Sequence, residues 1–134
     1  MNVIKIKGRT ITKGDVKAEA IVSTAPLSLA YVDATGAILD TTHYLYGQII
    51  KDKILVLPAL KGSATQELAL AGLVQTDRAP KGIVALEADT RLITAAIFCE
   101  IPVMDKLEKN PLEAISTGDL VRINANEGIV EVQK

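Results

Sequence analysis

The fold is decided by the stretch KILVLPALKGSATQELALAGLVQTDRAPKGIVAL, residues 53–86 of a chain of 134. The run at 53–57 is apolar, partly β-branched and followed by a proline, which predicts a buried strand. Residues 82–86 form another short apolar run and predict a second strand. Ser63 and Gln66 have the spacing of a capping box, so a helix is expected to begin at Ser63 between these strands. A strand–helix–strand unit predicts a parallel pair of strands joined by a right-handed crossover.

Further strand patterns lie on both sides of this unit. The remaining predicted elements are, in chain order, a strand over 3–6 that turns at Gly8, a half-buried strand over 16–22, a short helix over 90–99, a strand that starts at 101–104, a capped turn or short helix over 110–115, and a closing hairpin formed by 120–123 and 129–132. The sequence therefore predicts an α/β fold that is rich in strands and has one main crossover helix. Because there is no repeat or linker, residues 1–134 are expected to form a single domain.

The charge balance and the aromatic content argue against a nucleic-acid-binding protein. Fifteen Lys and Arg residues oppose sixteen Asp and Glu residues, so the net charge is −1 and no basic excess could bind phosphates. With no Trp, one Phe and three Tyr, few rings could stack on bases. No stretch reaches the roughly 18 apolar residues of a membrane span, and the N-terminus alternates like a strand rather than a signal peptide. We therefore expect a cytoplasmic protein with no nucleic-acid or membrane partner.

A single cysteine, Cys99, limits the metal and redox chemistry of the chain. One cysteine excludes an intrachain disulfide, and with one histidine it cannot close a structural zinc site. Its apolar neighbours favour a buried, unreactive thiol, so we predict no metal site in this chain alone. Glu87 and Asp89 follow the predicted strand at 82–86, where side chains of α/β sheets can line clefts. For these two carboxylates, a solvated loop is the expected role.

Residues 23–47 form a long segment with little periodicity, and such segments in compact domains are often functional. Residues 33–36 predict a turn in which the Asp33 carboxylate accepts a hydrogen bond from the backbone two residues on. Asp40 and His43 are close enough in sequence to orient one another. The sequence leaves two roles open for this pair: architecture of the loop, or contact with a substrate.

A candidate anion site lies where the strand at 53–57 ends and the next helix begins. The free N–H groups at a helix start carry a partial positive charge and bind carboxylates and phosphates. Lys61 adds a charge, Gly62 gives the backbone freedom, and the hydroxyls of Ser63 and Thr65 add hydrogen-bond donors. The alternative is that Ser63 only caps its own helix, and the spacing is not that of a P-loop.

The order and spacing of several short motifs resemble those of one family, the small subunits of the two-subunit aconitase X proteins of the aconitase superfamily. These motifs fall within residues 14–104 and are PLS at 26–28, VDATG at 32–36, DTTH at 40–43, GQ at 47–48, KILVLP at 53–58, KGS at 61–63, RAP at 78–80, EAD at 87–89 and IPV at 101–103. The resemblance implies the fold of this family, a swivelling β/β/α domain, for residues 1–134.

The resemblance also implies that the chain is part of a hydro-lyase. In aconitase-like enzymes the swivelling domain closes over an iron–sulfur cluster, which the separate large subunit would carry here, and the cluster acts as a Lewis acid on the departing hydroxyl. The implied reaction is dehydration of a hydroxy acid, with (R)-5-phosphomevalonate to an anhydromevalonate phosphate, in isoprenoid biosynthesis, as the first candidate. The chain would then be one half of a heterodimer, inactive alone, and its substrate would be an anionic small molecule.

By its position in the motif, Ser63 is implied as the catalytic residue that accepts the proton from the carbon next to the carboxylate. A serine oxygen serves as a base only where N–H groups and a cation stabilise its alkoxide. The predicted helix start and Lys61 supply groups of that kind. The candidates for substrate binding are Lys61, Gly62, Thr65, Ser28 and His43.

Three alternatives stay open at this point. The chain could be the small subunit of a cis-3-hydroxyproline dehydratase, whose substrate differs in charge and shape. It could be a non-catalytic binding module of the same fold in which Ser63 only caps its helix, and departures from the family motifs at 29–31 and 64–65 motivate this view. A free-standing small-molecule binder would instead hold an anion at Gly62 and Ser63 without a partner chain.

Overall fold

The structure is a computed structural model that describes residues 2–61 and 66–134, with residue 67 described by its backbone alone. The elements in these residues are, in chain order, β1 (Val3–Lys7), β2 (Arg9–Thr12), β3 (Asp15–Val22), β4 (Ile54–Leu57), α1 (Gln66–Gln75), β5 (Gly82–Ala85), α2 (Thr90–Cys99), β6 (Val103–Asp105), α3 (Pro111–Ala114), β7 (Leu120–Asn124) and β8 (Ile129–Gln133). The predicted strands and helices are found close to their expected bounds. The expected helix start at Ser63 lies outside the described residues, and α1 is described from Gln66.

The strands lie in the order β1-β8-β7-β3-β4-β5-β6-β2. From β3 to β6 neighbouring strands run parallel, as the crossover unit predicts, whereas the pairs at both ends of the order are antiparallel. β3 belongs to both regions, because residues 15–19 pair with β7 and residues 20–22 pair with β4. The two ends of the order, β1 and β2, are separated in the chain by Gly8 alone. The sheet therefore folds back on itself into two layers.

The parallel strands are buried on both faces, which explains why their sequences are continuously apolar. In β4, Leu55 and Leu57 point into a core shared with α1, α2 and the long segment at 23–50. Ile54 and Val56 point the other way, into a core shared with β1, β7 and β8. The layers are thus antiparallel strands, parallel strands and helices, and the β/β/α fold that the resemblance implies is confirmed.

Helices α1 and α2 both connect neighbouring parallel strands, and they pack against each other on one face of the sheet. A helix at 90–99 was predicted, but only one main crossover helix was expected, whereas α2 makes a crossover as well. Asp89 caps α2 by accepting a hydrogen bond from the Leu92 N–H at 3.0 Å. Because each helix returns the chain to the start of the next parallel strand, α1 and α2 are parallel and begin at the same edge of the sheet. None of the helices in the described residues combines the length and apolar character needed to cross a bilayer.

Strand β2 was not predicted from the sequence. Its four residues include two threonines and an arginine, so no apolar alternation marks it. It is held by β6, through backbone pairing and through an ion pair in which the Arg9 guanidinium donates to both carboxylate oxygens of Asp105 at 2.8 Å. Its pairing therefore depends on a residue 96 positions away, which no local pattern reveals.

Candidate functional site

The candidate anion site lies beyond the carboxyl end of β4, on the edge of the sheet where α1 begins. Gly62, Ser63 and Thr65 fall outside the described residues, so the structure locates them only through their neighbours. Lys61 precedes them and Gln66 follows them, and both of these residues are described. Ligands of open α/β sheets bind at the carboxyl ends of the strands, so this is the edge at which a site is expected.

Both flanks of residues 62–65 are fixed to one short segment, residues 27–29. On the first flank, the Lys61 N–H donates to the Leu27 carbonyl at 2.9 Å. On the second flank, the buried side chain of Gln66 accepts from the Leu29 N–H at 2.7 Å and donates to Ser28 Oγ at 3.0 Å. The residues on either side of Ser63 are therefore held by the same support.

Ser28, predicted to bind substrate, takes part in this support. Its hydroxyl is buried and accepts hydrogen bonds from the Gln66 side chain and, at 3.2 Å, from the Ala30 N–H. It does not line the cleft described next. The structure thus places Ser28 against Gln66, the first described residue of α1, which it helps to position.

An open cleft of about 490 Å³ lies beside Lys61, and the described residues that line it are Ala25, Pro26, Thr42, His43, Tyr44 and Lys61. The structure therefore brings together two of the predicted substrate-binding residues, Lys61 and His43, which are separated by eighteen positions in the sequence. Five of these residues belong to the long irregular segment at 23–47, so this segment forms one side of the cleft.

Lys61 supplies the positive charge of the cleft. Its ammonium lies 3.7 Å from a carboxylate oxygen of Asp40, and about half of its side chain is exposed. Hydrogen bonds from the hydroxyl and the N–H of Thr42 lower the pKa of Asp40, so this carboxylate is ionised. The Asp40 side chain is largely covered, but the long N–O distance and the half-exposed Lys61 ammonium make the ion pair weak. Lys61 can therefore exchange Asp40 for an anionic ligand at little cost.

His43 organises the wall of the cleft. Its Nδ1 accepts from the Leu45 N–H at 3.0 Å, and its Nε2 lies 3.2 Å from Ser23 Oγ. Because the one hydroxyl proton of Ser23 is donated to the Ala25 carbonyl, Nε2 must carry the hydrogen in this pair. Both ring nitrogens of His43 are thus engaged in hydrogen bonds, and the ring stacks on Tyr44 with ring centroids 5.0 Å apart.

The side chains of Asp40 and His43 do not pair with each other. The backbone joins them instead, since the His43 N–H donates to the Asp40 carbonyl at 3.1 Å. Of the two roles left open by the sequence, these contacts favour architecture of the loop. Asp33 also behaves as expected, because its carboxylate accepts from the Thr35 N–H at 2.8 Å and from the Ala37 N–H at 3.0 Å.

A second cation, Arg91, reaches the same edge and was missed by the sequence analysis. Its guanidinium donates to the Leu60 carbonyl at 3.3 Å and to the Asp89 carboxylate at 2.8 Å. Burial raises the pKa of Asp89, but hydrogen bonds from the Leu92 N–H and from Arg91 outweigh this effect and lower it. The sequence contained a signal for Arg91. An arginine in the first turn lies near the positive end of the helix dipole, which is unfavourable unless another group compensates its charge.

The donor set of this chain does not fit an iron–sulfur cluster. Clusters of this kind are held by several cysteine thiolates, and the chain has one cysteine. Among the described residues, no three His, Cys, Asp or Glu side chains come together as metal ligands. Cys99 is half-buried in the last turn of α2, at the opposite end from Arg91, and burial raises the pKa of its thiol. Glu87 lies within 3.8 Å of Lys106 in an exposed ion pair, as expected for a solvated loop.

Comparisons with known proteins agree with this architecture. The family described as the aconitase X swivel domain matches residues 5–132. A relative from Methanosarcina acetivorans named "phosphomevalonate dehydratase small subunit" is 41% identical over 133 residues, which cover 98% of this chain and 92% of the relative. A relative of the same name from Thermococcus kodakarensis is 40% identical over 131 residues, 96% of each chain.

Two solved structures share the fold over nearly the whole chain. "Crystal structure of Thermococcus kodakaraensis aconitase X (holo-form)" has a TM-score of 0.89 and 38% identity, and the match covers 98% of this chain and 99% of the other. A solution NMR structure of a UPF0107 protein has a TM-score of 0.87 and 32% identity, with 98% and 100% coverage.

Proposed function

Because the chain belongs to the aconitase X swivel-domain family, we propose that it is the small subunit of a phosphomevalonate dehydratase, a hydro-lyase that forms an anhydromevalonate phosphate from (R)-5-phosphomevalonate. Relatives with that name occur in several archaea, and this chain covers nearly all of their length. The enzyme is a heterodimer, and the small subunit is inactive without the large one. Since the donors of this chain do not fit an iron–sulfur cluster, the cluster belongs to the large subunit.

The observation that carries the proposal is that two cations, Lys61 and Arg91, lie at residues 60–61, directly before Ser63 in the chain. Lys61 is two residues before Ser63, and the Arg91 guanidinium donates a hydrogen bond to the carbonyl of the preceding residue, Leu60. The substrate carries a carboxylate and a phosphate, and cationic side chains with helix N-terminal N–H groups are the protein groups that bind such anions. The edge where α1 and α2 begin is therefore suited to a doubly anionic hydroxy acid.

In this proposal, Ser63 takes the proton from the carbon next to the substrate carboxylate. The electron pair of that C–H bond forms the double bond as the hydroxyl on the neighbouring carbon departs with its bonding electrons as hydroxide. The proton taken up by Ser63 balances this hydroxide, so that water is released and the alkoxide is restored. The serine must react as its alkoxide, which nearby N–H groups and cations stabilise. Lys61, Gly62 and Thr65 contact the substrate, while Ser28 and His43 act indirectly by holding the loop and the wall of the cleft.

The test is Ser63→Ala in the heterodimer reconstituted anaerobically with its large subunit and supplied with (R)-5-phosphomevalonate. General-base catalysis contributes about 10²–10⁴-fold to a rate, so kcat should fall by about that factor while the heterodimer still forms. Ser116→Ala, an exposed serine in the loop before β7, is the matched control and should keep full activity. Equal activity in Ser63→Ala and wild type would reduce Ser63 to a helix cap.

The substrate assignment is tested separately by wild-type protein. We expect the heterodimer to convert phosphomevalonate but not cis-3-hydroxyproline. The latter has no phosphate, so it could occupy only one of the two cations, Lys61 and Arg91. The reverse preference would identify the chain as the small subunit of a hydroxyproline dehydratase. Activity on neither substrate, with an intact heterodimer, would favour the non-catalytic binding module.

A further inference from the structure

The outward face of α1 and α2 is apolar and exposed. The large apolar side chains on this face, with their exposed fractions, are Leu68 at 75%, Val74 at 39%, Ile97 at 61% and Phe98 at 80%. Soluble proteins rarely leave large apolar side chains clustered in this way, and where they do, the cluster marks an interaction surface. We refer to these four residues with Ala71 and Thr94 as the α1/α2 face.

Charge is nearly absent from both helices. Residues 66–75 contain one charged residue, Glu67, and residues 90–99 contain one, Arg91, and both fall in the first turn. A helix with no charged stripe on its outer side is one that is normally covered. Beyond their first turns, α1 and α2 thus have the composition of buried helices although their outer side faces solvent here.

The α1/α2 face is shaped as well as apolar. Phe98 separates a hollow of about 130 Å³, which Leu68, Ala71 and Thr94 also line, from an adjoining hollow of about 150 Å³ that extends to Gln75 and Cys99. Interface energy concentrates at aromatic anchors flanked by pockets that receive partner side chains. Phe98 and the hollows beside it have that arrangement.

We propose that the α1/α2 face is the docking surface for the large subunit, an inference that rests on the proposed function. The relatives' name, small subunit, requires a larger partner, and that partner must cover the edge at which Ser63 lies. The helices begin at this edge, where the Gln66 side chain is hydrogen-bonded to residues 28 and 29 and the Arg91 side chain to residue 60. Leu68 and Thr94 follow within one turn, so a chain seated over the site continues directly onto the face.

The chemistry of the partner surface follows from that of the α1/α2 face. Burying a charge against a face with no counter-charge is costly, so the large subunit presents aliphatic or aromatic side chains to the hollows beside Phe98. The face extends from the first turn to the end of each helix, a length of about 15 Å. A second copy of this chain could bury a similar area of the α1/α2 face, but a homodimer of this kind would not place the large subunit over Ser63.

The test measures the dissociation constant of the heterodimer by analytical ultracentrifugation for the double variant Leu68→Gln/Phe98→Gln. Both side chains are exposed, so the fold should be unaffected, and this is checked by circular dichroism. The dissociation constant should rise at least about tenfold. The control is Val3→Gln, which removes an exposed apolar side chain from β1, and it should change the constant less than about twofold.

A second readout uses Cys99, the only cysteine of the chain. Its alkylation by N-ethylmaleimide, followed by mass spectrometry of the small subunit, should slow at least about tenfold when the wild-type large subunit is added, because the thiol borders one hollow. An unchanged dissociation constant for the double variant would overturn the inference. So would a wild-type homodimer that the double variant abolishes while the heterodimer is unaffected.

Activity distinguishes this inference from the proposed function. At saturating large subunit, the double variant should reach wild-type kcat, because Ser63 is intact, but it should need at least about tenfold more large subunit for half-maximal activity. A wild-type heterodimer with no activity on phosphomevalonate would refute the proposed function. The dissociation constants would still decide whether the α1/α2 face is the docking surface.

Discussion

The carboxylate of Asp105 is buried at the end of β6, where this strand pairs with β2. Its side chain is fully buried, and it accepts from Arg9 at 2.8 Å and from the Ala88 N–H at 2.7 Å. Burial raises the pKa of Asp105, but the hydrogen bonds from Arg9 and Ala88 outweigh this effect and lower it. Since the folded-state pKa lies below the unfolded one, the carboxylate stabilises the fold above about pH 4 and this contribution is lost as pH falls further.

The substitution Asp105→Asn should lower the free energy of unfolding at pH 7 by about 1–3 kcal/mol, since it removes a charge-assisted hydrogen-bond pair from a buried site. The difference between variant and wild type should shrink between about pH 5 and pH 2, as measured by urea titration. Asp15→Asn is the control, because Asp15 pairs with Arg122 at the surface and that guanidinium also binds Glu131. A difference that stays constant across this pH range would show that the charge of Asp105 does not stabilise the fold.

At the level of secondary structure, prediction from sequence succeeded where the signal was local. The apolar runs predicted β4 and β5, the Asn-Pro pattern predicted α3, and the Gly-containing loop predicted the final hairpin. It failed where a partner far away in sequence decides the structure. Strand β2 exists because β6 pairs with it, and Arg91 reaches Leu60 across 31 positions.

The same difference between local signals and contacts distant in sequence applies to the candidate site. The stretch at 61–65 was found because a strand end, a glycine and a capping pattern are adjacent in the chain. The contacts that support this stretch were not predicted. In the sequence, Gln66 indicates only a capping box, whereas in the fold its buried side chain forms hydrogen bonds with Ser28 and Leu29, nearly forty residues earlier. Contacts of this kind depend on the tertiary fold and leave no periodicity in the sequence.

The anchoring of α1 gives a prediction for Gln66→Leu. The substitution leaves the buried Leu29 N–H and Ser28 hydroxyl without their partner, which should cost about 1–3 kcal/mol of stability. In the heterodimer, kcat should fall more than KM rises, because Ser63 loses its position while Lys61 keeps its own support on Leu27. Steady-state kinetics and thermal unfolding measure the two effects.

A double-mutant cycle with Ser28→Ala separates positioning from general damage. If Ser28 acts through Gln66, the two substitutions should be markedly non-additive in kcat, with the double variant close to Gln66→Leu alone. Additive effects on kcat would mean that Ser28 contacts the substrate directly, as the sequence analysis predicted. Ser116→Ala again serves as the control and should add nothing to either variant.

For the whole molecule, the close contact of the two β layers is the feature on which the rest of the architecture depends. The layers meet tightly at Gly82, the first residue of β5. A Cβ atom built there would lie 2.7 Å from Ile123 Cδ1 in β7, 3.0 Å from Val16 Cγ2 in β3 and 3.2 Å from the Pro102 carbonyl oxygen. Ile123 is itself fully buried, so it has little room to move away. A side chain at residue 82 would therefore push the antiparallel layer away from the parallel strands that lead to the candidate site.

Gly82→Ala should consequently lower the free energy of unfolding by about 1–3 kcal/mol, the usual cost of overpacking a core. Gly72→Ala is the matched control, because Gly72 lies in α1 and a Cβ there would meet nothing within 4 Å. An alanine in that helix position should stabilise the chain by about 0.5–1 kcal/mol. The same chemical change is thus expected to act with opposite signs at the two glycines, as measured by urea unfolding of the isolated chain. Stabilisation by both substitutions would mean that the layers are not in close contact at Gly82, and the two-layer packing would then need another source of stability.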